Sequence, residues 1–137
     1  MRVQLAVLAD QANIAPPGKM NIMGIFDTIS ARKFPTVQPF MVLALRLKLE
    51  YEDREKIHEL VISMQDEDGK EYINAKAQVE VDKVPPGETG HMNQILGFPG
   101  TQFGQPGRYS FRILWNGQEA HRVELRVTAQ PLEASGA

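Results

Sequence analysis

Proline and glycine fall together at intervals along this chain: Pro16-Pro17-Gly18, Pro85-Pro86-Gly87, Phe98-Pro99-Gly100 and Gln105-Pro106-Gly107. Proline fixes φ and glycine reaches φ > 0, so each cluster reads as a turn. The runs between them are short and alternate in hydropathy. They predict strands near residues 3–10, 20–30, 39–50, 57–66, 70–81, 91–98, 107–115 and 118–128. Helical spacing is absent except for a short turn expected near Arg54 to Glu59. Short strands separated by turn signals are the pattern of a sandwich or small barrel. The expectation is therefore all-β: an antiparallel β-sandwich of about seven to nine strands. One domain over 1–130 and a flexible tail over 131–137 complete the layout.

At 137 residues the chain suits a single domain with a sizeable core. A formal net charge of -2 argues against a nucleic-acid or anionic-membrane binder, since those carry basic excess. With no cysteine, disulfides, thiolate metal sites and a cysteine nucleophile are excluded. The apolar run Leu5 to Ala9 is too short for a signal-peptide core and follows a single Arg2, so it reads as a first strand. No stretch approaches the ~18 apolar residues of a membrane-spanning helix. The expected location is cytoplasmic.

Two hairpins can be tested against their own side chains. An Asp68-Gly69 two-residue turn would pair Glu67 with Lys70 and Met64 with Ile73, bringing Ile62, Met64, Ile73 and Ala75 to one face. A plain Asn116-Gly117 turn would oppose Phe111 to Arg122 and split the apolar residues between faces. A three-residue loop or a β-bulge between Gly117 and Arg122 reunites them, and Phe111 then pairs with Val123.

Gly107-Arg108-Tyr109-Ser110-Phe111 resembles the G-x-Y-x-C segment of immunoglobulin-like sandwiches, with Phe111 at the cysteine position. The resemblance implies that Tyr109 is a corner residue, its ring packed and its hydroxyl bonded to backbone. A second resemblance spans nearly the whole chain. Ala9-Asp10 with Ala12-Asn13, Gly18-Lys19 with Asn21-Ile22, Gly24-Ile25-Phe26-Asp27, Phe34-Pro35 and the segment from Pro106 to Arg112 are similar to a family of small prokaryotic proteins of unknown function. It implies a stand-alone module starting at Met1, and no activity, cofactor or site residue.

Catalytic chemistry is thin. Asp66 to Glu71 opens like a calcium loop, but no closing carboxylate cluster follows and turn chemistry explains Asp68-Gly69. His58, His91 and His121 lack paired spacing. Asp10 and Asp27 flank the first two strands and could meet for acid–base work; each more often bonds turn amides. Ser30, Ser63, Ser110 and Ser135 lie outside any nucleophile-elbow context. Neither a phosphate loop nor a dinucleotide fingerprint is present. The reading is no enzyme, no metal and no cofactor.

Contact surfaces are better represented. Arg108, Arg112, Arg122 and Arg126 share the outer face of the final hairpin, either as a solvated face or as a stripe for an anionic partner. Lys19 to Ile29 has no polar face: Met20, Ile22 and Phe26 project to one side, Met23, Ile25 and Ile29 to the other. Phe40 and Val42 extend the apolar excess on the next strand. Either the segment Val84 to Gln105 covers it, or Ile22, Ile25, Phe26, Phe40 and Val42 form an interface to a protein partner or a second copy. The expected function is a non-catalytic binding or assembly module. The alternative is a carbohydrate or small-ligand domain using Trp115, Tyr51 or Tyr72. A hydrolase would require Asp10, Asp27 and a histidine to converge.

Overall fold

The computed structural model describes residues 1–81, Val84 and 86–130. The expected tail over 131–137 and Pro85 of the second Pro-Pro-Gly cluster lie outside the described residues. The strands are β1 (Arg2–Ala15), β2 (Lys19–Phe26), β3 (Thr28–Ala31), β4 (Thr36–Leu49), β5 (Lys56–Gln65), β6 (Glu71–Val81), β7 (Gly90–Phe103), β8 (Gly107–Trp115) and β9 (Gln118–Ala129). Among the described residues the single helical turn is 3-10, Tyr51–Asp53, and lies just before the segment where one was expected; Lys56 onward is already β5. The strands form two sheets, β2-β1-β4-β7 and β3-β9-β8-β5-β6, packed as an all-β sandwich. Every pairing is antiparallel except that of β3 with β9.

Asp27 is the hinge between the sheets. The strand expected over 20–30 breaks there into β2 and β3, because the Asp27 carbonyl accepts the Arg126 amide (2.9 Å) and commits the chain to β9. The core lies between the inner rows. Met41, Leu43, Leu45 and Leu47 of β4 face Leu60, Ile62 and Met64 of β5 and Phe111 and Ile113 of β8, all fully buried. Tyr109 is buried edge-on against Phe103, and its hydroxyl donates to the Gln105 carbonyl at 2.7 Å.

Phe111 pairs with Val123, and the register shifts between Ile113 and Leu114, where Ala120 is the extra residue: the bulge lies where the apolar pattern required it. Asn116 (φ 51°) and Gly117 (φ 85°) make the two-residue turn itself. In the first hairpin Met64 pairs with Ile73 as expected, but Glu67 does not pair with Lys70. The ladder slips after Met64, and Asp66 closes a longer loop by accepting the Asp68 and Lys70 amides (2.9 Å each) and the Tyr72 hydroxyl. A carboxylate that satisfies three donors organises the loop better than a bare two-residue turn would.

The cover of the second apolar face is not the segment Val84 to Gln105. Residues 90–103 lie in the plane of the sheet as β7, paired with β4 from Thr36 to Leu49. Pro99 does not stop this strand, since β7 is at the edge and a missing donor there costs little. The cover is the β1–β2 hairpin. Alternate strands of a sheet lie roughly 9–10 Å apart, yet β1 contacts β7 with β4 between them. At the hairpin tip, the Gly18 carbonyl accepts a hydrogen bond from Asn93 Nδ2 of β7 (2.8 Å). The ribbon therefore folds back across the outer side of its own sheet. Beneath it, Val42 is 3% exposed and Ala44 0%.

Gly24 makes this return possible. Its φ is +74°, and a Cβ there would run into the carboxyl of Asp10 on the neighbouring strand. Gly24→Ala should lower stability by about 2 kcal/mol from the left-handed backbone alone, with more from the collision. In thermal denaturation Asp10→Ala should recover the second part but not the first.

Candidate functional site

The five residues expected as an interface separate. Phe26 packs half-buried against the core, opposite Leu8, and Ile22 is partly buried on the same side of the ribbon. Val42 lies beneath the hairpin. Ile25 (62% exposed) and Phe40 (45%) remain accessible. Met23, at 57%, joins them and is not among the five residues expected there. The Phe40 ring lies over Gly97, where a Cβ would approach it to 3.2 Å. Its position is thus fixed while one side stays open.

Asp10 and Asp27 do not converge. They line separate clefts on either side of Ile25 and Phe26, and no histidine lines either one. His91 pairs opposite Lys48 and His121 opposite Ile113. Among the described residues, no group of three metal-ligating side chains comes together. No described helix is long and apolar enough to cross a membrane. The aromatic residues considered for sugar stacking have protein partners. Trp115 stacks on His58 (centroids 4.4 Å), the Arg54 guanidinium sits 3.7 Å above Tyr51, and Tyr72 donates to Asp66.

The arginines occupy one face as expected, in cross-strand pairs Arg112 with Arg122 and Arg108 with Arg126, with Ser110 and Glu124 between. Glu119 bridges the first pair, accepting from Arg112 Nε (2.6 Å) and Arg122 Nη2 (2.9 Å). The hydrogen bond from Arg112, then that from Arg122, hold the Glu119 carboxyl below its ordinary value. Glu67 Oε1 accepts the Arg108 amide at 2.9 Å. Glu119 thus compensates Arg112 and Arg122, whereas among the described residues no carboxylate pairs with the guanidinium groups of Arg108 and Arg126.

The model of a family of unknown function, DUF6941, matches residues 4–128. The chain belongs to that family. No curated protein matches it. The DUF6941 match runs from within β1 to within β9, so it takes in the folded-back hairpin and both clefts.

At the opposite end of this DUF6941 domain, sequence reasoning missed a polar lock. Asp53, buried, accepts the Glu50 amide (2.8 Å) and pairs with the Met1 ammonium (2.9 Å). The Glu59 amide donates to Asn116 Oδ1, which orients Asn116 Nδ2 toward His58 Nδ1 (2.9 Å). His58 Nε2 therefore carries the proton and donates to the Asp53 carbonyl at 2.8 Å. Three separated stretches of sequence meet here, with no spacing signal to announce them. Burial by itself would raise the Asp53 pKa; the Glu50 amide and the Met1 ammonium outweigh it and hold the carboxyl below the usual value of 3.8. A depressed folded-state pKa means that the contribution is complete above that value and is lost as pH falls through the lower folded one. Asp53→Ala should cost about 2 kcal/mol at neutral pH, and the gap to wild type should narrow in urea titrations carried out below about pH 4.

Proposed function

We propose that this chain is a non-catalytic, cytoplasmic binding and assembly module, built on an immunoglobulin-like sandwich, which meets a protein partner or a second copy through the apolar surface of Met23, Ile25 and Phe40. The observation that carries this reading is what stays exposed after the chain has used its own hairpin as a cover. Val42 and Ala44 are sealed, whereas Met23, Ile25 and Phe40, like Ile14 of the same hairpin, keep about half of their surface in water. Large apolar side chains left in water on one region of a fold are characteristic of contact sites. The immunoglobulin-like character is supported by the parallel pairing of β3 with β9 after the chain crosses between sheets at Asp27. The Tyr109 hydroxyl bonded to Gln105, four residues upstream, supports it as well. The separation of Asp10 from Asp27 and from the histidines favours binding over catalysis.

The test is the assembly state by light scattering, together with capture of partners from native cell extract. Met23→Glu and Phe40→Glu should each abolish self-association or remove the captured protein. Both sites are exposed, so melting temperatures should stay within a few degrees of wild type. Unchanged assembly and an unchanged captured set in both variants would sink the proposal.

A further inference from the structure

On the outer face of the sheet formed by β1, β4 and β7, basic side chains meet across three strands. Arg2 of β1 pairs opposite Lys48 of β4, and Lys48 opposite His91 of β7, so the three stand in one row. Neighbours in such a row are roughly 5 Å apart at Cβ. Arg46 is two residues along β4, on the same face and roughly 7 Å away. Arg2 and His91 are exposed, and Lys48 and Arg46 are half-buried. These residues come from three separated stretches of sequence, and only the strand register brings them together.

Two features set this row apart from an ordinary solvated face. Among the described residues no carboxylate comes within 4.0 Å of Arg2, Arg46, Lys48 or His91. Directly opposed like charges weaken a sheet. Where Arg112 and Arg122 face each other on β8 and β9, Glu119 bridges them; Arg2 and Lys48 have no such bridge among the described residues. Arg46, moreover, is held by neutral groups that orient it without cancelling its charge. Its Nε donates to Gln4 Oε1 (2.9 Å) and its Nη1 to Asn93 Oδ1 (3.1 Å), and Asn93 is fixed in turn by its bond to the Gly18 carbonyl. Nη2 of Arg46 has no partner among the described residues.

We infer that this row binds the terminal phosphate of a phosphate monoester. Lys48 provides the central point charge, Arg2 and a ring N–H of His91 flank it, and Arg46 offers Nη2 from the adjoining row. Donors on three strands suit the three free oxygens of a tetrahedral group better than the two coplanar oxygens of a carboxylate. All of them rise from one face, so the fourth oxygen points to solvent and can carry the ester. The next row toward the middle of the sheet is Val7, Ala44 and Ile95, which is apolar. The patch therefore takes one phosphate and offers no track for a nucleic-acid strand. Arg108 and Arg126 fit less well, being a single opposed pair with Glu124 two residues from Arg126 on the same face. The site lies at the far end of β4 from Phe40, so this inference and the proposed apolar contact can fail separately.

Methyl phosphate is the probe, with inorganic phosphate and dimethyl phosphate beside it, all at low and matched ionic strength. Methyl phosphate should shift the Lys48 and Arg46 amides and the Arg46 Nε resonance along a saturable curve in a nuclear magnetic resonance titration. Dimethyl phosphate has one charge and two free oxygens, like the backbone of a nucleic acid or a phospholipid, and should bind about tenfold more weakly. Lys48→Gln and Arg2→Gln should each weaken methyl phosphate binding about tenfold. Their melting temperatures should be at or slightly above wild type, because a repulsion is removed. Arg126→Gln should leave the binding unchanged. No saturable shift at millimolar methyl phosphate, or shifts that sodium chloride reproduces, would overturn the inference. So would equal binding of dimethyl phosphate, far tighter binding of inorganic phosphate than of the ester, or an affinity unchanged in both variants.

Discussion

β4 has to be covered on both faces, and the rest of the molecule is arranged around that requirement. Five consecutive residues, Met41 to Leu45, are buried. A run of this kind cannot sit in a sheet with one wet side. The inner row is covered by the opposite sheet. The outer row is Val42, flanked by Ala9 of β1 and Gly97 of β7, and Ala44, flanked by Val7 and Ile95. Around Val42 the neighbours are small, so a second layer can approach closely there. The cheapest cover in chain entropy is one already tethered next door, and β1 supplies it by running past the end of its ladder with β4 and returning as a ribbon.

That arrangement explains which parts of the fold were legible. Local rules worked where a side-chain pattern and a turn had to agree. The bulge in the last hairpin followed from the need to bring Phe111 and Val123 to one face, and the pairing is as required. The cover of the apolar strand was not legible, because the choice depends on a three-dimensional return. Ile95, Leu96 and Phe98 read as a loop-like cap, punctuated by glycine and proline. In place, Phe98 is core and Pro99 is tolerated at an edge. Nothing in a linear pattern separates a segment lying over a sheet from one lying in its plane. Ile22 and Phe26 were assigned to a contact surface for the same reason: the side of a ribbon that is buried depends on where the ribbon goes.

The bulge has an electrostatic consequence as well as a packing one. Without the extra residue at Ala120, strict alternation would place Glu119 on the same face as Val123 and Leu125, toward the core. With it, Glu119 pairs opposite Leu114 on the outer face and reaches both Arg112 and Arg122. One inserted residue therefore keeps a carboxylate out of the interior and relieves the repulsion between two directly opposed arginines. The arginine face was readable from sequence; the pairing of Arg112 and Arg122 with Glu119 was not, because it depends on the residue count around the bulge.

A strand that leaves one sheet for the other carries a further structural cost. When β2 crosses at Asp27, β1 loses its neighbour below Leu8, and β9 has no hydrogen-bonded strand before Arg126 on the side of β3 among the described residues. Two edges are opened at one corner, the condition under which sandwich proteins pair with themselves. Both edges carry a bulge, at Gln4 in β1 and Ala120 in β9, which shortens the regular template each offers. β9 itself lies close to β1 at this corner, where Val123 shares a cleft with Ala6 and Leu8, so the two opened edges shield each other.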